Sequence, residues 1–165
     1  MKRILIIGSC GSGKSTLAKV LSEKLNLPLI GLDQYYWKSG WIRSAEDEWR
    51  KKVFELIKED KWIMEGNYQS TFDIRFPASD TIIILNINRI TCFWRTWKRR
   101  ILKNRIDKLN GCDEKIDFEL MRWILWGYPT RGRKQINSFL KQYPDKNIIF
   151  IKNSKDLKRL MNSFK

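Results

Sequence analysis

The sequence predicts a three-layer α/β fold in which helices cover both faces of a five-stranded parallel sheet. Five short apolar segments alternate with segments whose apolar residues recur at helical spacing, which favours parallel strands joined by helices. The fourth apolar segment, residues 81–85, is β-branched and almost continuously apolar, which is typical of a strand buried on both faces. The 165 residues suffice for a sizeable core, and we expect one domain spanning residues 1–165.

The predicted elements follow one another with turn signals between them. The first strand, residues 4–7, leads through a glycine-rich stretch into a helix, and residues 29–32 form the second strand. Ser44 and Asp47 form a capping pair that opens the next helix. The remaining predicted elements are a third strand at 62–64, a connection over 71–79, a fourth strand at 81–85, a basic helix over 89–105, an apolar helix that Gly127–Pro129 ends, a helix from Thr130, a fifth strand at 148–151 and a last helix.

The first strand and the first helix are joined by the stretch Gly8-Ser9-Cys10-Gly11-Ser12-Gly13-Lys14-Ser15-Thr16. A strand, a glycine loop and a helix in this order are the context of a phosphate-binding loop, because glycines leave backbone N–H groups free to converge on phosphates. We expect Lys14 to follow the γ-phosphate, the Ser15 hydroxyl to coordinate Mg²⁺ and Thr16 to donate to an α-phosphate. The residues predicted here to hold the nucleotide are Gly8, Gly11, Ser12, Gly13, Lys14, Ser15 and Thr16.

Polar side chains follow the second and third strands, at the sheet edge where ligands bind in open α/β folds. Asp33 comes directly after the second strand, and Glu65 ends the third. Glu65 holds Mg²⁺ through water, contacts substrate or is an ordinary solvated strand end. The aromatic segment 34–41 either forms a substrate pocket or packs as a lid on the core. The residues predicted to bind an acceptor are Asp33, Trp37, Gly66, Asn67 and Tyr68.

The formal net charge of +15 indicates an anionic partner: a nucleoside triphosphate, a phosphorylated small substrate or nucleic acid. From residue 89 to 105 there are seven Lys or Arg residues and no acid, with an apolar stripe of Phe93, Trp94, Trp97 and Ile101. Such a helix binds a membrane surface or nucleic acid, presents arginines to phosphates, or has an ordinary charged face. The arginines predicted to act on a transferring phosphoryl group are Arg99, Arg105, Arg131 and Arg133.

The composition excludes several kinds of chemistry. Cys10, Cys92 and Cys112 lack paired spacing, so they indicate neither a disulfide framework nor a zinc site. The absence of histidine excludes Ser-His-Asp and Cys-His machinery, so we expect Asp33 to be the proton acceptor or the acceptor anchor. No run reaches transmembrane length, and we expect a cytoplasmic protein without membrane contact. In the loop after the fifth strand, Asn153 is expected to edge the nucleotide base.

The chain resembles the small P-loop kinases related to adenylate and shikimate kinases, and more closely the bacterial DNA topology modulation proteins. The resemblance implies a sheet order of 2-3-1-4-5, a mobile lid at about residues 100–115, ATP and Mg²⁺ at Lys14, Ser15 and Thr16, and an acceptor near Asp33 and Gly66. The residues that carry it are Ile6–Gly8 through Lys14–Thr16, Leu32-Asp33 with Trp37-Lys38 and Gly40-Trp41, Glu65–Tyr68, the basic helix from Trp94 to Arg105, and Tyr128-Pro129 with Arg131 and Arg133.

Two functions from different classes follow. The first is transfer of the ATP γ-phosphate to a small-molecule acceptor, since the loop, the lysine, the metal-binding hydroxyl and the arginines supply positioning and charge neutralisation. The alternative is an ATP-regulated nucleic-acid-binding protein that affects DNA topology, based on the net charge and the tryptophan-bearing basic helix. A degenerate scaffold without turnover is disfavoured because every loop position is intact.

Overall fold

The computed structural model describes residues 1–102, 109, 111–112 and 117–163. Its strands are β1 (Arg3–Gly8), β2 (Leu29–Gly31), β3 (Trp37–Lys38), β4 (Ile42–Arg43), β5 (Trp62–Glu65), β6 (Thr81–Leu85) and β7 (Asn147–Ile151). Five of them form a parallel sheet in the order β2-β5-β1-β6-β7, and β3 and β4 pair separately as an antiparallel hairpin. When only the five strands of the main sheet are counted in chain order, their order is 2-3-1-4-5, and the predicted fold class is confirmed.

Helices cover both faces of the main sheet. The α-helices are α1 (Lys14–Leu25), α2 (Asp33–Tyr36), α3 (Glu46–Leu56), α4 (Phe72–Ala78), α5 (Arg89–Leu102), α6 (Phe118–Arg122), α7 (Arg133–Gln142) and α8 (Ser154–Asn162). Two single 3₁₀ turns, Ser39–Trp41 and Gln69–Thr71, and a π-helical segment, Trp123–Gly132, complete the helical structure of the described residues.

The central strand β1 shows how the three layers form. Successive side chains of a strand point to opposite faces, so Ile4 and Ile6 lie on one face and Leu5 and Ile7 on the other. The first pair belongs to a buried cluster with α1 and α8, including Leu21. The second pair belongs to a cluster with α3, α4 and α7. Burial of β1 on both faces explains its continuous apolar run.

The register of the sheet brings several loops to one edge. Glu65, the last residue of β5, lies opposite Ile6 of β1 and Gly31 of β2. The chain continues from these strand ends into the glycine loop, into α2 with Asp33 at its start, and into the segment 66–69. The predicted nucleotide and acceptor residues therefore come from loops at the same carboxyl edge.

Two predicted helix boundaries are wrong. The Ser44 hydroxyl does not cap α3; it donates a hydrogen bond to the Tyr36 carbonyl at 2.8 Å, and Ala45 is the N-cap. The Gly127–Pro129 stretch does not end a helix, because the chain stays helical from α6 through the π-helical segment into α7. Proline lacks a backbone N–H and would disrupt an α-helix, and here Pro129 lies in the wider π-helical turns.

The basic helix α5 buries only part of its predicted apolar stripe. Phe93 and Trp97 pack against a small cluster that includes Cys92 and Ile124. Trp94 is 61% exposed and Ile101 is 56% exposed, so these two residues of the stripe lie on the accessible side of the helix. The reason is that α5 packs mainly against the π-helical segment, which covers one side of the helix.

The predicted lid, residues 100–115, lies mostly outside the described residues, and Arg105 lies outside them entirely. Within the described part of the chain, no helix combines the length and apolar character needed to cross a membrane.

Candidate active site

The glycine loop has the backbone shape of an anion-binding loop. Gly11 has a φ of 75° and Gly13 a φ of 97°, and both lie in the left-handed region that favours glycine. Gly8 ends β1, and the backbone N–H of Ser12 donates to the Ser9 carbonyl at 3.2 Å, which closes the turn. Gly13 precedes the first residue of α1, so the positive end of this helix points into the loop.

Two side chains at the start of α1 are held at the loop. The Lys14 ammonium donates to the Ser9 carbonyl at 3.2 Å, so the lysine lies folded back over the loop. The Ser15 hydroxyl donates to Oε1 of Glu65 at 3.2 Å, and Glu65 is buried. Thr16, the next residue, is exposed and also lines the cavity described below. The strand end at Glu65 is therefore not solvated, and its carboxylate accepts a hydrogen bond from the first turn of the helix that follows the loop.

The second polar group is centred on Asp33. The Tyr68 hydroxyl donates to Oδ1 of Asp33 at 2.5 Å. The ring of Tyr68 packs 4.5 Å from the ring of Tyr36 and 4.9 Å from that of Trp49. Burial raises the pKa of Tyr68 far above its usual value, and the neighbouring Asp33 carboxylate raises it further. Tyr68 therefore remains a protonated donor that fixes one oxygen of Asp33.

One open cavity of about 750 Å³ joins the two groups. Its phosphate end is lined by the glycine loop and the start of α1, and its other end by Asp33 and the 66–69 segment. The aromatic segment contributes Trp37 and Trp41 to the wall of the cavity, while Tyr36 packs on the core. A substrate pocket at this segment stays a prediction. The predicted residues that line the cavity are Gly11, Gly13, Lys14, Ser15, Thr16, Asp33, Trp37, Glu65, Gly66, Asn67, Tyr68 and Arg99.

Arginines from α5 form the positively charged wall. Arg95, Arg99 and Arg100 line the cavity, and the Arg99 guanidinium lies 3.6 Å from the Cys10 thiol in the glycine loop. Arg95 and Arg99 are four residues apart and share one face of the helix, whereas Arg100 reaches the cavity from a different face. The single-sign charge of α5 is thus partly directed at the cavity, close to the phosphate end.

The remaining predicted residues lie around the cavity or away from it. Arg131 and Arg133 are not among the lining residues; Arg131 stacks 5.8 Å from the ring of Trp123, which does line the cavity. Arg133 is half-buried close to Cys92 and Tyr128. Burial raises the pKa of both groups, and the positive charge of Arg133 offsets part of that rise. Asn153 is the N-cap of α8 and accepts from two backbone N–H groups there.

Sequence reasoning missed several residues of this region. Asp117 lines the cavity and caps α6 by accepting from the Leu120 backbone N–H at 3.1 Å. Arg75 is fully buried beneath the 66–69 segment. Its signal in the sequence is a charge placed between Phe72 and Phe76, on the face of a short helix that these two aromatics predict to be buried.

The glycine loop, the lysine at its end and the three-layer sheet define a P-loop protein. The chain belongs to the family described as AAA domain, whose match covers residues 4–116. A shikimate kinase from Bacillus cereus (strain G9842) is 25% identical over 178 residues, which cover 100% of this chain and 97% of that protein. The uncharacterized protein YqaC of Bacillus subtilis (strain 168) is 35% identical over 82 residues, which cover 44% of this chain and 46% of YqaC.

Solved structures show the same fold. The shikimate kinase from Bacteroides thetaiotaomicron superposes with a TM-score of 0.61 at 21% identity, and the superposition covers 98% of this chain and 97% of that kinase. The deoxyadenosine kinase from M. mycoides superposes with a TM-score of 0.55 at 17% identity, with coverages of 97% and 96%. At these identities the two structures show the fold alone; together with the family match over residues 4–116 and the full-length similarity to a shikimate kinase, they support the predicted small P-loop kinase group. The closer resemblance to topology modulation proteins stays a prediction.

Proposed function

We propose that this protein transfers the γ-phosphate of ATP to a small hydroxyl-bearing acceptor. The observation that carries the proposal is that one and the same cavity has the Lys14 and Ser15 loop at one end and the Asp33 carboxylate at the other. A kinase must hold its two substrates in one space, because most of its rate enhancement comes from positioning and charge neutralisation.

Each end of the cavity has a role in this proposal. Lys14 and the loop backbone hold the β- and γ-phosphates, and the arginines of α5 neutralise charge on the transferring group. Asp33 takes the acceptor hydroxyl proton or anchors the acceptor; its Oδ1 is engaged by Tyr68. Arg131, Arg133 and Asn153 are proposed to reach the phosphates and the base on nucleotide binding.

The residues present fit Mg²⁺. The Ser15 hydroxyl and the Glu65 carboxylate lie 3.2 Å apart at the loop and supply the oxygen ligands that this ion prefers. Among the described residues there is no cluster of three or more acidic or cysteine side chains arranged for a metal. The phosphates of a bound nucleotide would add oxygen ligands to those of the two side chains. When bound, the ion supplies neutralisation of charge on the phosphates.

The nucleic-acid alternative is not favoured by the geometry of α5. Three of its arginines line the cavity and are thus used on the phosphate side of the proposed reaction. A cytoplasmic location, a single domain over residues 1–165 and a topology-related role remain predictions from the sequence.

The test is calorimetric titration of Mg-ATP at physiological salt into the intact protein, Lys14→Ala and Lys19→Ala. Lys19 is an exposed lysine of the same helix, so its variant controls for loss of charge on α1. We expect binding that Lys14→Ala weakens by about tenfold or more, that Lys19→Ala retains and that duplex DNA leaves unchanged. Absence of ATP binding by the intact protein would refute the kinase proposal.

A second step identifies the acceptor side. Because its relatives are named as shikimate and deoxyadenosine kinases, shikimate and deoxyadenosine are the first acceptors to assay for ADP release. We expect Asp33→Asn to lower kcat by about a hundredfold or more while Mg-ATP affinity is retained. Equal loss of turnover and of ATP affinity would contradict the assignment of Asp33 to the acceptor.

A further inference from the structure

Arg75 of α4 is an arginine without exposed surface, and its guanidinium faces backbone. Its Nη1 donates to the Gly66 carbonyl at 3.0 Å, and its Nη2 donates to the Tyr68 carbonyl. Its Nε donates at 3.0 Å to Oγ1 of Thr71, a hydroxyl that itself donates to the Tyr68 carbonyl at 3.0 Å. One side chain thus ties down two carbonyls of the segment that lines the acceptor end of the cavity.

The electrostatic setting of Arg75 is unusual for an arginine in a core. Within the described ranges it takes part in no salt bridge, and the acceptors of its hydrogen bonds are two carbonyls and a hydroxyl. Burial lowers its pKa to about 9. An apolar residue would fill the same space beside Phe72 without the cost of burying a charge, so the hydrogen bonds to the segment are what the arginine adds.

The segment that Arg75 holds, residues 66–69, and Glu65 directly before it connect three walls of the site. Glu65 accepts from the Ser15 hydroxyl at the phosphate loop, at 3.2 Å. Tyr68 donates to Asp33 at the acceptor end, at 2.5 Å. Gln69 donates through Nε2 to the Gly132 carbonyl at 3.1 Å, next to the start of α7. A shift of this short backbone would therefore move all three contacts together.

We propose that Arg75 is a positioning residue that sets the distance between the phosphate loop and the acceptor carboxylate by fixing the backbone of Gly66–Tyr68. What the two ends bind rests on the proposed function, whereas the positioning itself is a property of this chain's own contacts. A merely structural arginine would support stability alone. A positioning arginine also determines where the side chains of Glu65 and Tyr68 lie.

The experiment compares Arg75→Lys, Thr71→Val and Arg50→Met by two measurements that need no turnover. Lysine keeps the charge of Arg75 but lacks the planar fork whose separate nitrogens donate to both carbonyls and to Thr71. Thr71→Val removes the bridging hydroxyl while Arg75 stays. Arg50→Met is the matched control, because Arg50 also binds α4, through Asp73 at 2.6 Å, and donates to the Ser70 carbonyl, whereas no hydrogen bond joins it to Gly66 or Tyr68 in the described part of the chain.

The first measurement is the NMR resonance of the Tyr68 ring Cζ in protein labelled with ¹³C-tyrosine. The chain has five tyrosines, and the Tyr68→Phe variant assigns the Tyr68 resonance. The second is the affinity for Mg²⁺ titrated into protein saturated with ADP. We expect Arg75→Lys to shift the Tyr68 resonance and to weaken Mg²⁺ binding by about tenfold, with Thr71→Val giving a smaller change in the same direction. ADP affinity without Mg²⁺ stays within about twofold, since the loop backbone is untouched.

An unshifted Tyr68 resonance in Arg75→Lys, or a shift of equal size in Arg50→Met, overturns the proposal. If the intact protein binds no ADP, the proposed function fails and the Tyr68 resonance alone decides on Arg75. If Arg75→Lys does not fold, Thr71→Val decides, because its valine fills nearly the same volume: a shifted Tyr68 resonance supports the proposal and an unshifted one overturns it.

Discussion

Gly11 is the position where the structure permits the sharpest test of packing at the phosphate loop. A Cβ added at Gly11 would lie 2.2 Å from the Cys92 carbonyl oxygen and 2.5 Å from Oγ1 of Thr96, both in α5. Gly40 has the same φ of 75°, but a Cβ there meets nothing within 4 Å. The two alanine variants therefore share the backbone strain and differ in the steric clash.

The size of the effect can be worked from these contacts. Alanine in the left-handed region costs about 1–2 kcal/mol at either position. At Gly11 the clash with helix backbone adds about 1–3 kcal/mol, because the Cys92 carbonyl cannot rotate away as a flexible side chain could. For a domain of this size the added term corresponds to a Tm about 3–9 °C lower for Gly11→Ala than for Gly40→Ala.

The assay is chemical denaturation of both variants, followed by tryptophan fluorescence, with Mg-ATP titration of the folded proteins. We expect Gly11→Ala to lose both stability and nucleotide affinity, since Gly11 lines the cavity and Gly40 does not. Equal unfolding free energies for the two variants would refute the reasoning that α5 packs directly on the glycine loop.

Two further predictions concern ionisable groups. Burial raises the pKa of Cys92 from 9.0 to about 11, so the folded state favours the neutral thiol. The unfolding free energy is therefore expected to fall by about 2 kcal/mol as the pH rises from 9 to 11. In Cys92→Ala, the unfolding free energy measured by denaturation should depend less on pH in this range. The Arg50 guanidinium lowers the pKa of the Asp73 carboxyl, but both groups are partly exposed to solvent. Asp73→Asn is therefore expected to lower the unfolding free energy, measured by urea denaturation, by about 1 kcal/mol or less. A larger loss of unfolding free energy would contradict a solvent-screened pair.

Much of the fold could be read from local patterns. The continuous apolar run of β6 indicated a strand covered on both faces, and the structure buries it there. The apolar run of β1 indicated a strand, and the structure buries this strand on both faces as well. Boundaries that depend on competing hydrogen bonds could not be read in this way. Ser44 bonds back to Tyr36 instead of capping α3, and Pro129 is accommodated by π-helical turns, both of which depend on neighbours distant from the local pattern.

In the candidate site, too, the local motif could be predicted from the sequence, whereas contacts between distant residues could not. The loop from Gly8 to Thr16 is recognisable by itself because its function depends on backbone freedom at fixed spacing within a few residues. The pairing of Ser15 with Glu65 and that of Tyr68 with Asp33 join residues 50 and 35 positions apart, so the order of the strands had to be known before these contacts could be named.

The sequence by itself determined the phosphate-binding loop, the alternation of strands and helices and the cationic character of α5, because each is written in consecutive residues. Only the tertiary structure decided that Glu65 faces the loop, that Arg99 lies beside Cys10 and that Arg75 is buried beneath residues 66–69. Backbone geometry at a loop is a local property, whereas the partner of a side chain is fixed by which elements the sheet order brings together.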